Sequence, residues 1–450
     1  MSFPRYPKYK DSGVEWLGQV PEHWDVKRLR FVAELNPSKS EVNNLSRDTS
    51  ISFLPMDAIG DAGTLRLDQE KAISEVESGY TYFRDGDVTV AKITPCYENG
   101  KGALMRGLVN GIGFGTTELI VARPKLDEIT GTYLHYLFIS PDFRSIGESH
   151  MYGAGGQKRV PDAFVRNFAT AFPPVHEQIR IAAFLDRETA KIDALVAEQE
   201  RLMELLKEKR QAVISHAVTK GLNPKAAMKS SGIEWLGDVP AHWAVPAFNY
   251  RYEVELGKML DEKRITGNHL APYLRNTDVQ WGRINVEGLP QMDFTGADLN
   301  RYGLRVGDLL VCEGGEVGRA AIWNGELENC FYQKALHRIR PRDANRDSAK
   351  FLYFIFQAAA ATGVFAGTGG KSTIAHLPAE ALRRYRFAFP PLSEQLEIAS
   401  FLDRESVRFD TLTAEAQRAI DLLQERRTAV ISAAVTGQID VRQFSKKEAS

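Results

Sequence analysis

The chain has 450 residues, 43% apolar and 26% charged, with a formal net charge of −1. That length exceeds one ordinary hydrophobic core and asks for two or more domains, and near-neutral charge confines any basic surface to local patches. No run of about 18 uncharged apolar residues occurs and the opening MSFPRYPKYKDSG lacks an apolar signal core, so neither a membrane span nor secretion is expected.

The first element in chain order is a Trp-containing segment, Ser12 to Trp24 (SGVEWLGQVPEHW). An insert of roughly 150 residues follows, from about 25 to 171. Alternating stretches such as Asp87 to Ala91 (DVTVA), bounded by turn signals such as Asp85-Gly86, read as strands. A short helical pattern covers Tyr133 to Ile139. After Pro173-Pro174 an apolar stripe runs through Ile181, Leu185, Ile192, Leu195, Leu202, Leu206 and Val213. Its steps of three and four residues are those of a heptad seam. Gly221 and Pro224 mark its end.

The same order then recurs. Ser231 to Trp243 read SGIEWLGDVPAHW, a near-copy of the first Trp segment. A second insert, from about 244 to 388, carries Asp308 to Cys312 (DLLVC) and a helical pattern at Ala349 to Ala361. Phe389 to Glu405 (FPPLSEQLEIASFLDRE) repeat Phe172 to Glu188 (FPPVHEQIRIAAFLDRE), and the match continues without a gap to Ile439. Ser393 is the expected N-cap of this second helix, with His176 a poorer one in the first. The second stripe is Ile398, Leu402, Phe409, Leu412, Ala419, Leu423 and Val430, ended by Gly437. A helix of about 40 residues, roughly 60 Å long, with one apolar stripe needs a partner. The expected partner is the other copy, antiparallel, with an insert at either end and a pseudo-two-fold axis between.

Chemistry-bearing motifs are few. Cys96, Cys312 and Cys330 stand far apart with no CxxC spacing, which suits a reducing cytoplasm and argues against disulfides or structural zinc. Gly367 to Thr373 (GTGGKST) resembles the end of a P-loop, but Phe365 stands where that motif needs glycine. The other half has Gly153 to Arg159 (GAGGQKR) at the same place, so a turn or an anion contact through Lys158, Arg159, Lys371 or Ser372 is the expectation instead. No HExxH, no D/N-P-P-Y/F and no catalytic constellation is present.

Polar loops at matching places in the inserts are candidates for reading DNA. In the first insert these give Lys92, Thr94, Tyr97, Asn99, Lys101, Thr116 and Thr117. In the second they give Arg275, Asn276, Gln280, Arg283, Arg319, Tyr332, Gln333 and Lys334. Arg338, Arg340 and Arg342 follow on alternate positions and are expected on one strand face, Arg338 as a DNA contact. Trp16, Trp24, Trp235 and Trp243 belong to the repeated frame and are expected to pack there.

Tyr6 to Gly18 with Val20 to Trp24, and the FPPxxEQxxIAxFLDRE blocks, resemble type I restriction-modification specificity (S) subunits. The resemblance spans nearly the whole chain, twice, in the same order. It implies an α+β protein with two α/β target recognition domains separated by two long antiparallel coiled-coil helices. The boundaries would be 1–174 and 223–391 for the recognition domains with their Trp segments, 175–222 and 392–438 for the helices, and 439–450 for a tail. It further implies a noncatalytic cytoplasmic subunit that binds an asymmetric, bipartite double-stranded DNA target. Two modification (methyltransferase) subunits would assemble on the helices, joined by two restriction subunits. S-adenosylmethionine, ATP and magnesium would belong to those partners and none to this chain. The rival reading is a coiled-coil scaffold that does not bind DNA.

Overall fold

The computed structural model describes residues 3–61, 63–154, 156–259, 266–365, 376–442 and 444. The chain divides into two units, residues 1–199 with 418–450, and residues 200–417. Each unit therefore contains one insert and one half of each long helix.

In the first unit Tyr9–Asp11 pairs with Gln19–Pro21, and Asp25–Arg28 then pairs antiparallel with Ala169–Phe172. The two ends of the insert are thus sewn to each other before the helix begins. Between them lie two four-stranded sheets. One has the order Ala33–Leu35, Leu119–Pro124, Val88–Ala91, Gly102–Leu104; the other has Glu70–Ala72, Ser50–Leu54, Ile112–Gly115, Thr81–Arg84. Successive side chains of a strand point to opposite faces, and here they feed two cores. Val88, Val90, Ile120 and Ala122 pack with the helices around Tyr133, Leu134 and Leu137. Ala91, Leu119 and Val121 pack with Leu54 and Phe83 of the second sheet.

The second unit repeats this plan despite little sequence identity between the inserts. Its main sheet has the order Tyr252–Leu256, Leu336–Pro341, Leu309–Cys312, Ala320–Ile322, with a three-stranded sheet beside it. Leu309, Val311 and Ile339 face the helix Ala349–Ala361, whereas Leu310, Cys312 and Leu336 face Leu274 and Tyr332. Cys312 is thereby a packing residue, and burial pushes its thiol pKa up. The divergent sequences reach one topology because period-two burial, not residue identity, sets which side of the sheet each core occupies.

The long helices are Val175–Lys220 and Leu392–Val435, of 46 and 44 residues. The second starts at Leu392, so Ser393 lies inside its first turn and does not cap it. Gly221 and Gly437 follow the two C-termini with φ of +75° and +74°. A Cβ at Gly221 would lie 3.3 Å from the Trp243 ring, and one at Gly437 would collide with Pro21, so glycine is needed for conformation and for space.

Along the seam Ile181, Leu185, Ile192, Leu206, Val213, Ile398, Leu402, Phe409, Leu423 and Val430 are buried or half-buried. Leu195, Leu202 and Leu412 are not: they are 45%, 43% and 37% exposed. The seam runs instead through Val196 and Gln199 in the first unit, Met203 and Arg210 in the second, and Thr413 on the other helix. Each displaced leucine stands one residue before a seam position, about 100° round the helix. Within the first unit Arg427 Nε meets Asp193 Oδ1 at 3.0 Å; within the second, Arg210 Nη1 meets Asp410 Oδ1 at 2.5 Å. The gapless repeat aligns Asp193 with Asp410 and Arg210 with Arg427, so the two bridges are copies of each other. An early residue of one helix meets a late residue of the other in both cases, which is antiparallel pairing.

Beyond Gly437 the chain turns back to the N-terminal segment. Asp440 N donates to Pro4 O, Asp440 holds Arg442 over the Tyr6 ring, and Phe444 packs with Phe3 and Phe184.

Candidate nucleic-acid interface

The residues Glu-Gln after the double proline fasten the frame to each insert. Glu177, in the first turn of the helix, is buried and accepts from Tyr6 Oη at 2.6 Å and Trp24 Nε1 at 3.2 Å, with His23 Nε2 2.8 Å away. Glu394 repeats this with Trp243 Nε1 at 3.1 Å and His242 Nε2 at 2.7 Å. A carboxylate at a helix N-terminus also complements the helix dipole. Gln178, fully buried, accepts from Thr130 N and donates to Glu128 O and Pro173 O. Gln395 accepts from Ser348 N and donates to Arg346 O and Pro390 O. Thr130 and Ser348 are themselves the N-caps of the helices Gly131–Ile139 and Ala349–Ala361. Trp16 stacks on Phe168 and Trp235 meets Phe387 edge-on, so these rings are used in packing.

A second repeated lock lies inside the inserts. Arg123 grips Asp87 through two hydrogen bonds of 2.7 and 2.8 Å, and Arg340 grips Asp308 through two of 2.6 and 2.7 Å. Each aspartate also accepts from the backbone of the residue three before it, Arg84 or Arg305, and so closes the Gly-Asp turn. The Asp85-Gly86 turn and the alternating arginines of the second insert stand out in the sequence, but their pairing does not. The signal available was the glycine–aspartate step opening an apolar strand in both halves.

Strand pairing brings the candidate loops of each insert to one place, at the other end of the locked strands. In the first, Lys92 N donates to Glu118 O, Thr94 N to Lys158 O and Val160 N to Lys92 O. Arg159 forms a bidentate pair with Glu118, which lowers that carboxyl's pKa. Lys92, Thr94, Asn99, Lys101, Thr116, Thr117, Lys158 and Arg159 therefore cluster. In the second, Asn276 Nδ2 donates to Gly314 O, Arg319 donates to Asn276 O and Oδ1, and Gln333 N donates to Leu274 O. This joins Arg275, Asn276, Arg319, Gln333 and Lys334 in one group.

Within the clusters many polar atoms are already committed. Lys101 Nζ donates to Met56 O and Ile59 O, Arg275 pairs with Asp278, Thr94 Oγ1 donates to Glu98, Thr116 Oγ1 accepts from Glu118 N, and Gln280 Nε2 donates to Thr277 O. These groups shape loops. Asn99, Thr117, Lys158, Arg283 and Lys334 are exposed, and among the described residues their side chains make no hydrogen bond or ion pair.

Three candidates are corrected. Tyr97 is buried with its hydroxyl on Phe143 O, and Tyr332 is buried with its hydroxyl directed to Glu255 O. Burial raises both phenol pKa values well above the ordinary range. Arg338 is buried as well, donating to Arg301 O and Glu253. Alternation put Arg338 and Arg340 on one strand face, as expected, but that face is covered by protein. Lys371 and Ser372 lie outside the described residues.

Among the described residues no group of His, Cys, Asp and Glu could hold a metal ion, and no helix is long and apolar enough to cross a membrane. His135 and His337 are depressed to about 4 by burial, and the Cys330 thiol is pushed up to about 12 by the same cause. Such groups pack and do not exchange protons near neutrality.

Residues 253–420 match the family described as type I restriction modification DNA specificity domain. The chain is 44% identical over 200 residues to the type I restriction enzyme EcoEI specificity subunit of Escherichia coli, covering 44% of this chain and 33% of that protein. It is 47% identical over 165 residues to the EcoAI specificity subunit of the same species, covering 36% and 27%. The match thus spans about a third or less of these relatives' length. A solved structure described by its role in complex assembly and conformational transition of the type I R-M system matches with a TM-score of 0.74 and 19% identity, over 92% of this chain and 98% of that one. The HsdS subunit of Thermoanaerobacter tengcongensis matches with a TM-score of 0.59 and 19% identity, over 93% and 98%. These two likenesses establish the fold.

Proposed function

We propose that the chain is a type I restriction-modification DNA specificity subunit and that it reads a bipartite, asymmetric double-stranded DNA target without catalysing a reaction itself. Each recognition domain takes one half-site, and the paired helices set the spacing and bind modification subunits. The observation that carries this reading is the repeated frame with unlike loops. Glu177-Gln178 and Glu394-Gln395 hold the two inserts by the same bonds, while the exposed groups are Asn99, Thr117 and Lys158 in one and Arg283 and Lys334 in the other. Lysines and arginines at such loops neutralise phosphate, and Asn, Thr and Arg side chains can read base edges.

Methyl transfer and ATP-driven cleavage are assigned to partners, two modification and two restriction subunits. S-adenosylmethionine, ATP and magnesium go with them, in the cytoplasm. The test exchanges residues 25–171 for the corresponding insert of another specificity subunit and maps methylated sites in a host that supplies the modification subunit. One half-site should change while the other stays. A change in both, or no salt-dependent DNA binding by the assembled complex, would refute the reading and favour a scaffold.

A further inference from the structure

Both units present an exposed aromatic ring at the same point of the frame, away from the clustered loops in the hydrogen-bond pattern. Phe31 is 55% exposed and Tyr250 is 73% exposed, and they stand equally far along the chain from Trp24 and Trp243. Each sits on a short turn anchored by a fully buried neighbour, Leu29 or Phe248. Each turn is braced by a cation from the end of the central strand. Lys125 N donates to Val32 O and its Nζ to Phe31 O at 3.1 Å; Arg342 N donates to Arg251 O and its Nε to Asn249 O at 2.8 Å. Folding therefore holds two large rings partly in water, where their apolar area stays available for burial against a partner.

Arginines flank the rings. Arg30 lies over Phe31 at 5.0 Å, and exposed Arg166 ends the helix Asp162–Asn167 that packs against this turn. In the second unit Arg383 and Arg384 end the equivalent helix, Ala379–Arg384. There Tyr250, Asn249, Ala247, Glu380 and both arginines line a pocket of about 450 Å³. Arg383 spends one nitrogen on Val254 O, while Arg384 is exposed. Rigid aromatic rings with arginine are the composition of protein–protein hot spots. A duplex backbone, by contrast, takes cations and polar groups and leaves a phenyl ring unused.

We infer that these two turns are docking points for the modification subunit, one copy on each unit, with an acidic side chain of that subunit seated in the pocket beside Tyr250 and Arg384. The inference rests on the proposed function, which supplies the partner. Recurrence of the ring and its brace in both units, where the loops differ, fits one kind of partner bound twice.

The test uses the full chain and its cognate modification subunit, comparing wild type with F31S, Y250S, R384E, the double variant F31S/Y250S and the conservative Y250F. Native mass spectrometry counts bound copies, and titration gives affinities. Y250S and R384E should each weaken one copy by about 10–100-fold, F31S the other, and the double variant both; Y250F should bind like wild type. DNA affinity and its salt dependence should be unchanged in all. Wild-type assembly by the double variant overturns the inference, as does intact assembly with a reduced salt slope, which would make the turns DNA contacts. If the unsubstituted chain binds no modification subunit, the proposed function fails as well, and that failure is visible without any variant.

Discussion

Gln178 Oε1 accepts a hydrogen bond from Thr130 N at 2.9 Å, joining the first turn of a long helix to the capped end of a recognition-domain helix 48 residues earlier. Its amide nitrogen holds Glu128 O and Pro173 O, so one side chain spans three backbone segments. Gln178→Leu removes the partner of one buried backbone group, Pro173 O, at a cost of about 1–3 kcal/mol, and of two part-buried ones, Thr130 N and Glu128 O, at less. Gln178→Glu keeps only the acceptor role toward Thr130. Hydrogen exchange should show faster opening at residues 130–139 in both variants. Protection unchanged there would mean that the insert is held by other contacts.

The interhelical bridges are half-exposed, so each is worth about 1 kcal/mol or less. A double-mutant cycle on Arg210 and Asp410 should give a coupling in that range that shrinks with added salt. The cycle on Arg427 and Asp193 should give a similar value. A coupling of several kcal/mol in either would show that the bridges, not the apolar seam, hold the pair.

Heptad phase predicts a contrast between two leucines four residues apart. Leu206 is 9% exposed and Leu202 is 43% exposed. Leu206→Ala should destabilise the second unit by about 2–4 kcal/mol, whereas Leu202→Ala should stay within about 0.5 kcal/mol. Urea unfolding measures both, and equal costs would restore Leu202 to the seam.

Asp308 is buried and Arg340 grips it from both oxygens. Asp308→Ala strands a guanidinium beside the core and should cost about 3–5 kcal/mol, while Asp308→Ala with Arg340→Met should recover part of it. The same pattern is expected for Asp87 and Arg123. A double variant no better than the single one would count against the paired-charge account.

Asp293 accepts from Thr266 Oγ1, Gly267 N and His269 N, and these donors hold its pKa at about 2. A carboxyl depressed on folding stabilises the folded loop above its unfolded pKa of about 3.9, and that stability is lost as pH falls through the folded value. The amides of residues 267 and 269 should stay protected at pH 5 and open progressively as pH falls from about 4 to about 2. Asp293→Asn should open them already at pH 5; equal protection in the variant would refute the assignment.

The duplication, the helix lengths within a few residues and the strands at Val88–Ala91 and Leu309–Cys312 were legible because periodicity and glycine stops are local properties of a chain. The repeated blocks even contained Glu177 and Gln178, though nothing local says that a glutamine is buried against Thr130 and Pro173. Tertiary structure decided the rest. It chose Met203 over Leu202 for the seam, because one residue of phase is settled only by the opposing helix. It buried Tyr332 and Arg338 on strands and Tyr97 in a turn, because a polar side chain reaches water or core according to what covers it. It also matched Arg123 with Asp87 and Arg340 with Asp308, partners 36 and 32 residues apart that sequence spacing alone does not join. Sequence by itself determined that one frame occurs twice; only packing decided which residues of each copy remain in water to meet a partner.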